Sequence, residues 1–574
     1  MKTKLIILFT FVMFLSTIFY KIAPDKTLDY TKKIGSNSMS CTPAIFLLDN
    51  IDTTKQIAPL FENLGNHFYK ISTKNELAQR FFNQGLRLTY AFNHAEAHRS
   101  FMETSRLDPI CAMAYWGQAY VLGPNINDPL PDDERKNKYN EAIDKAIKLI
   151  DNASPKEQAL IEALTHRYSK DLTIDVSILN KAYMEAMAKV ATKYPDDSDI
   201  QTLYAASVMN TVPWNYWDKD GNPSPNIKEA KAALEKAIQL NPNNPGANHY
   251  YIHMVELPYP DLGVPIAEKL GSLMPAAGHI VHMPSHIYIR VGRYKDAVKA
   301  NQEAILADED YISQCFSQGM YPLGYYPHNI HFLWSASSLL GNSQLAIDAA
   351  KKTAEKVPVG EMKDLHFLQN FASTPLLAYT RFGKWNDILT YPKPNDNIKH
   401  LKLIWHYTRG IAFIRKNNIK EAKEELEAIN EMIKDPEMET IIATGFDSGT
   451  TIAKLAFEVV SGELAGLEGN YSLAIEHLQK AVVLEDGLIY NEPAAWHIPT
   501  RQNLGAILMK AKKYEEAEKT YNEDLRVLRQ NGWSLTGLYQ SLKAQGKMEE
   551  AKKIKQEFDL AWSDADIKID ASIL

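Results

Sequence analysis

Cysteine is scarce in this chain. Three occur in 574 residues, Cys41, Cys111 and Cys315, far apart. That excludes a disulfide framework and a cysteine-based zinc ribbon, while one pair outside the cell stays open. Basic charge is not concentrated either. The net charge is −7 with no long Lys/Arg run, so no nucleic-acid partner is expected. There is no GxxxxGK, no GxGxxG after a strand, no GxSxG, no HExxH and no CxxC. The common phosphate-cradling, nucleophile-elbow and zinc-protease signals are therefore missing. "HAEAH" (His94 to His98) has its glutamate one residue out of register for HExxH. No catalytic triad assembles by spacing, although one formed in space stays open. Strand-like alternation is scarce as well.

What is present begins at the N-terminus. Lys2 and Lys4 precede LIILFTFVMFLSTIFY (Leu5 to Tyr20), and Lys21 follows. A basic lead before an apolar core is the layout of an export signal. This core is longer than most signal cores and shorter than the roughly 20 residues of a spanning helix. No Ala-x-Ala site follows, Ala23 is succeeded by Pro24, and Cys41 in NSMSC lacks a lipobox. Residues 1–22 are read as a signal peptide or an uncleaved membrane anchor. Both place the body outside the cytoplasm, in the periplasm or cell envelope, secreted or attached to the membrane through this segment. Residues 23–75, mixed and polar, read as a tether and irregular lead-in.

From residue 76 to 560 apolar residues recur at three- and four-residue spacing, the period of helices. A unit repeats within this span. "KKYEEAEKTYNEDL" centres on Ala517 and "QGKMEEAKKIKQEF" on Ala551, one unit further on. Similar segments surround Ala97, Ala142, Ala230, Ala297, Ala346, Ala422 and Ala474. A small residue at one fixed point suits two helices whose backbones cross closely. Pro109 and Pro242 stand at the same offset beyond Ala97 and Ala230, and end their helices. The step from Ala517 to Ala551, with this pattern, resembles the tetratricopeptide repeat and its period of about 34 residues. The match is best in Leu504, Gly505, Leu508, Ala517 and Tyr521, then Leu538, Leu542, Gly546 and Ala551. The resemblance implies an all-α superhelical solenoid of stacked antiparallel helix pairs, with 561–574 as a tail. It further implies that the first helix of each pair lines a concave groove, and that the chain binds a partner rather than performing chemistry.

Histidine is the residue that departs from an even spread. Seven of 16 fall within residues 249–331, where about two would be expected. With the alanine of each unit as position 20, His279, His282 and His286 take positions 2, 5 and 9. His249 and His253 take 5 and 9 with Glu256 at 12, and His328 and His331 take 2 and 5. Such offsets share one helix stripe; the resemblance makes it the groove-facing one. Imidazole is the commonest metal ligand, and histidines at i and i+4 can share an ion. The seven, with Glu256 as a ligand or catalytic base, would suit zinc or copper, and are enough for two ions. Pro284 inside one of these helices predicts a kink. A metal-free polar site stays open, because histidine also hydrogen-bonds peptides, carboxylates and sugars.

Trp214 and Trp217 lie in "VPWNYWDKDGNP", and Tyr250, Tyr251, Tyr325 and Tyr326 flank the stripe. Flat rings there would suit a peptide or sugar, and equally serve as wedges between helices. Two functions therefore compete. One is an extracytoplasmic scaffold that binds a protein, peptide or glycan in its groove, as an accessory to extracellular polymer or polysaccharide processing. The other is a metalloprotein, a metal-dependent hydrolase or oxidase if it is an enzyme. Gly319, Pro322, Gly324 and Pro327 mark the connection before His328 as loop-like, a candidate lid.

Overall fold

The computed structural model describes residues 54–218, 220–314 and 321–574. The N-terminal apolar segment, Cys41, Cys315 and Gly319 lie outside the described residues. Cys111 is buried and free. Among the described residues every regular element is helical, with two isolated bridges (Asn125 to Asp128, Trp217 to Pro223). None of these helices is long and apolar enough to cross a membrane.

Eight of the turns between paired helices are closed by one device. Where the first helix gives way to the second, one residue takes a left-handed backbone: Phe92, Gly292, Gly341, Gly383, Asn417, Gly469, Lys512 and Gly546. The next N–H reaches back five residues, as in Asn93 to Leu88 (2.9 Å), Arg293 to Tyr288 (2.8 Å) and Lys547 to Leu542 (3.0 Å). This bond satisfies a carbonyl the helix end leaves open. Glycine holds five of the eight positions because a Cβ there costs on the order of 1 kcal/mol. Phe92 is the exception with a bulky ring.

Five residues past each such turn sits the packing residue. Ala97, Ala297, Ala346, Ala422, Ala474 and Ala517 are fully buried. Further along the second helix an aromatic ring is clamped between two glycines. Phe101 lies so close to Gly85 and Gly117 that an added Cβ would stand 2.6 and 2.5 Å from it. Tyr521 does the same between Gly505 and Gly537, at 2.4 and 2.1 Å. The glycines thus mark where consecutive helix pairs interlock.

An open stack would have contacts only between neighbouring repeats. This chain also folds back on itself. Trp533, fully buried, donates from Nε1 to the Ser338 carbonyl at 3.0 Å. Tyr294 donates to the Arg529 carbonyl at 2.7 Å, and Asp566 accepts from the backbone of Ser343 and Gln344. The region read as a tail is therefore packed, and the C-terminal repeats close over the middle ones. Residues 54–75 carry no helix, yet Tyr69 and Ile71 are buried in the core.

Candidate metal centre

Three first helices carry the histidines. Pro245–Val255 starts with Pro245 at its first turn, capped by the Asn244 side chain on the Ala247 N–H. Tyr326–Leu340 also has proline in its first turn. Between them lie Gly278–His282 and Pro284–Arg290, broken at Met283 as Pro284 requires. The break does not spread the rings apart. His282 Nε2 and His286 Nε2 stand 2.9 Å from each other.

Six of the seven histidines form two trios. The ligand nitrogens of His249, His253 and His279 lie within 4.8 Å of one another, and so do those of His282, His286 and His328. His249 and His253 face each other through Nε2 at 3.2 Å, as do His328 and His282. The trios adjoin, with the His253 and His286 rings 5.5 Å apart. All six rings are buried or nearly so, five of them 3% exposed or less.

The opposite face of most rings is fixed. His249 Nδ1 donates to the Tyr90 carbonyl (2.6 Å), and His282 Nδ1 to Asn301 Oδ1 (2.7 Å). Asn301 is itself oriented by donating from Nδ2 to the Ala297 carbonyl. Glu256 spans the trios, accepting from His253 Nδ1 on one oxygen (3.2 Å) and from His286 Nδ1 on the other (2.6 Å). These acceptors place the proton on Nδ1 and leave the lone pair on Nε2. Two lone pairs then face each other, at 3.2 Å in one trio and at 2.9 Å in the other. Such a pair is relieved by a proton or a cation shared between the nitrogens.

A proton is poorly placed to fill that role. Burial pushes His249, His279, His282 and His328 well below the ordinary imidazole range, with neighbouring imidazoles adding to it. Burial also lowers His253, against the pull of Glu256. Burial would raise Glu256, but His286 and His253 hold it down at about 2, so it is a carboxylate. Five of the six donors are thus biased toward neutral imidazole, beside an anion. Two nitrogens about 2.05 Å from one tetrahedral ion stand roughly 3.3 Å apart, near the spacing seen.

Residues 226–244 match the tetratricopeptide repeat model. The chain carries a tetratricopeptide repeat. No curated protein matches it. Among solved structures the chain is similar to the Cut9–Hcn1 hetero-tetramer of APC/C, 14% identical over 85% of this chain and 74% of that one, with a TM-score of 0.29. A human IFIT1 dimer with PPP-AAAA is 13% identical over 82% and 94%, TM-score 0.34. Yeast Tom70 is 13% identical over 84% and 90%, TM-score 0.26. Scores this low leave the turns and interlocking rings described above as the basis for an all-α, tetratricopeptide-like solenoid.

Within this helical stack the remaining expected residues separate. His331 joins neither trio. It stacks on Trp334 (5.0 Å) and meets Phe371, and burial holds it at about 3. Tyr250, Tyr251 and Tyr326 are buried, and the last two donate to Glu235 and Glu309. Trp217 donates to the Met254 carbonyl. Tyr251, Tyr326 and Trp217 act as wedges and struts, while the Tyr250 ring stacks on His249 at 5.4 Å. Trp214 and Tyr325 do face the trios, 5.0 Å from His253 and 5.0 Å from His279. Of the candidate lid, residues 321–325 form a π turn, and Tyr321 donates to Asp308 at 2.7 Å.

Several contributors could not be found from spacing. Phe92 comes from a repeat far upstream of its partners, and its ring centroid is 4.5 Å from that of His249. The Tyr90 acceptor is a backbone carbonyl, which no side-chain pattern reveals. Asn301 was legible in principle, one helical turn past the packing residue Ala297. Tyr490 and Glu492 lie near Glu256, with Arg290 paired to Glu492 at 3.8 Å. Glu492 and Tyr490 both feel the charge of Glu256, although they belong to the C-terminal repeats, remote from it in sequence.

Proposed function

We propose that this chain is a metalloprotein that holds two metal ions, one in each histidine trio. The observation that carries this is the pairing of Nε2 lone pairs, 3.2 Å apart in one trio and 2.9 Å in the other, with Nδ1 of all four rings committed to an oxygen acceptor. Rings oriented through Nδ1 are what metal-ligating histidines ordinarily show. Three imidazole nitrogens per ion, without thiolate, suit copper or zinc, and two adjoining sets favour copper, which works in pairs on dioxygen. Copper would supply redox chemistry and zinc Lewis acidity. The chain's own part is to desolvate the site, fix the rings and balance charge with Glu256. Both Glu256 oxygens are engaged, so it serves as a positioning residue rather than a free base. The reaction class is therefore an oxidase or dioxygen-binding function, with a hydrolase second.

The test is direct. Purified full-length chain is loaded with copper(I) or zinc, desalted and analysed for metal by mass spectrometry. Two ions per chain are expected, falling to about one in His249→Ala and in His282→Ala. A chain that retains no ion after loading, with its fold intact by circular dichroism, overturns the proposal.

The scaffold reading rests on the repeat, since such folds generally bind protein partners. It would place a protein, peptide or glycan on the surface left by the closed stack. Export is read from Lys2, Lys4 and the Leu5–Tyr20 core. Cell fractionation decides it: a soluble cytoplasmic chain would refute the extracytoplasmic assignment.

A further inference from the structure

Eight turns between paired helices share one backbone shape, and seven of them fill it with glycine, asparagine or lysine. The eighth holds Phe92 at φ 56°. A buried aromatic kept in a left-handed turn costs stability that glycine would recover, so what its ring touches matters. The ring lies 4.5 Å from His249, stacks on His279 at 5.4 Å and on His253 at 6.0 Å. It contacts every member of one trio and no member of the other.

Trp214 joins it from a loop, also left-handed, at φ 62°. Its ring meets His253 edge-on at 5.0 Å. Its Nε1 donates to Asn127 Oδ1 (3.1 Å), while Asn127 Nδ2 donates to the Tyr325 hydroxyl (3.0 Å), and the Tyr325 ring is 5.0 Å from His279. Two strained residues and a hydrogen-bonded strut therefore wall one trio. The other is covered by Phe332, which sits mid-helix in Tyr326–Leu340. Against the Phe92 ring is a cavity of about 20 Å³, lined among others by Phe92, His94, Tyr120, Asn125, Asn210 and Tyr250 and by no trio histidine. That is space for a molecule of water size, not for an aromatic one. Asn210 Oδ1 is buried there without a partner.

We infer that Phe92 is a gate on the His249–His253–His279 trio, and that it limits what reaches this trio to slim molecules of the size of water or dioxygen, admitted through the cavity against its ring. This rests on the two-ion reading for what the trio does with such a ligand, and on the wall alone for the size limit. The ring is placed by the turn, so no rotamer change of the histidines is needed to keep larger molecules out.

The decisive variant is Phe92→Gly. Glycine is the commonest residue at this turn, so the variant keeps the backbone and removes only the ring. The metal-free full chain is treated with diethyl pyrocarbonate, and labelled peptides are mapped by mass spectrometry. His249 and His279 are expected to react on the order of tenfold faster in Phe92→Gly, with His282 and His286 unchanged. Equal rates at His249 and His279, with the fold confirmed by circular dichroism, overturn the gate even if both ions bind. The protein loaded with copper and oxidised to copper(II) supplies the second arm. Azide, a slim triatomic ion, should perturb the copper spectrum of both proteins, and benzoate only that of Phe92→Gly. Benzoate perturbing the copper spectrum of His282→Ala, which keeps Phe92 and copper only in the His249 trio, would overturn the size limit. A chain that takes up no copper refutes the metal reading and leaves the labelling result standing.

Discussion

The two histidine trios are built alike and supported differently. Each combines a pair at i and i+4 on one helix stripe with a third ring from another segment. The His282–His286 pair is backed by side chains, Asn301 and Glu256, which the helix Tyr294–Gln314 and the end of Pro245–Val255 supply. The His249–His253 pair is backed by Glu256 and a backbone carbonyl, that of Tyr90. His279 has no hydrogen-bond partner on either nitrogen, although it is 3% exposed. One trio is thus tuned by replaceable groups, the other by main chain and a wall of aromatic rings. A buried imidazole with both nitrogens unpaired is costly to keep, which points to the first trio as the more strained of the two.

Glu256→Ala should produce the largest effect, because it removes the one acceptor both trios share. Two buried Nδ1 donors lose their partner, and metal affinity is expected to fall roughly 10- to 100-fold at both sites. Competition titration against a chelator reads this; loss at one trio alone would show that Glu256 does not link them. Asn301→Ala should come next. It is expected to weaken only the His282 trio, by about tenfold, leaving one ion at full affinity. Equal weakening of both would show that Asn301 does not support the His282 trio alone.

Buried histidines outside the trios make stability depend on pH. His400, with both nitrogens unpaired, is held at about 4, burial first and then His366. Its folded value lies below the unfolded one of about 6.5. The unfolded chain therefore takes the proton first as pH drops. Stability is intact above about pH 6.5 and declines toward pH 4, by about 1.4 kcal/mol per unit for one such group. Unfolding midpoints in urea between pH 7 and 4.5 should fall less steeply in His400→Gln. An unchanged slope would mean His400 is not neutral in the fold. The smallest effect is expected for Lys512→Gly. It replaces a left-handed lysine by the residue that five equivalent turns carry, and should stabilise by less than about 1 kcal/mol, seen as a slightly higher melting temperature.

The fold was legible where geometry is local. Ala97, Ala297 and Ala517 announce the helix crossings because only a small side chain fits there. The turn glycines and Pro109, Pro242 and Pro284 mark where helices end. The histidine stripe was legible too, since offsets of three, four and seven residues fix a helix face whatever surrounds it. Three features were not. His331 lies in the same helix as His328 yet turns to Trp334. Sequence left the Tyr250, Tyr251 and Tyr326 rings open as groove or wedge; all three are buried, and Tyr250 alone of them stacks on a trio ring, His249. The closing of residues 529–574 onto the middle repeats depends on contacts between distant repeats, such as Trp533 on Ser338, which no repeat pattern encodes.

The sequence by itself determined the helical period, the small residues at the crossings and the crowding of imidazoles on one stripe, because each depends on neighbours within a few turns. Only the tertiary structure decided that six of those imidazoles pair off as two trios, that Glu256 bridges them, and that Phe92 walls one of them in. Those are distances between segments remote from one another along the chain, set by how the repeats stack and by burial that strips water from the rings.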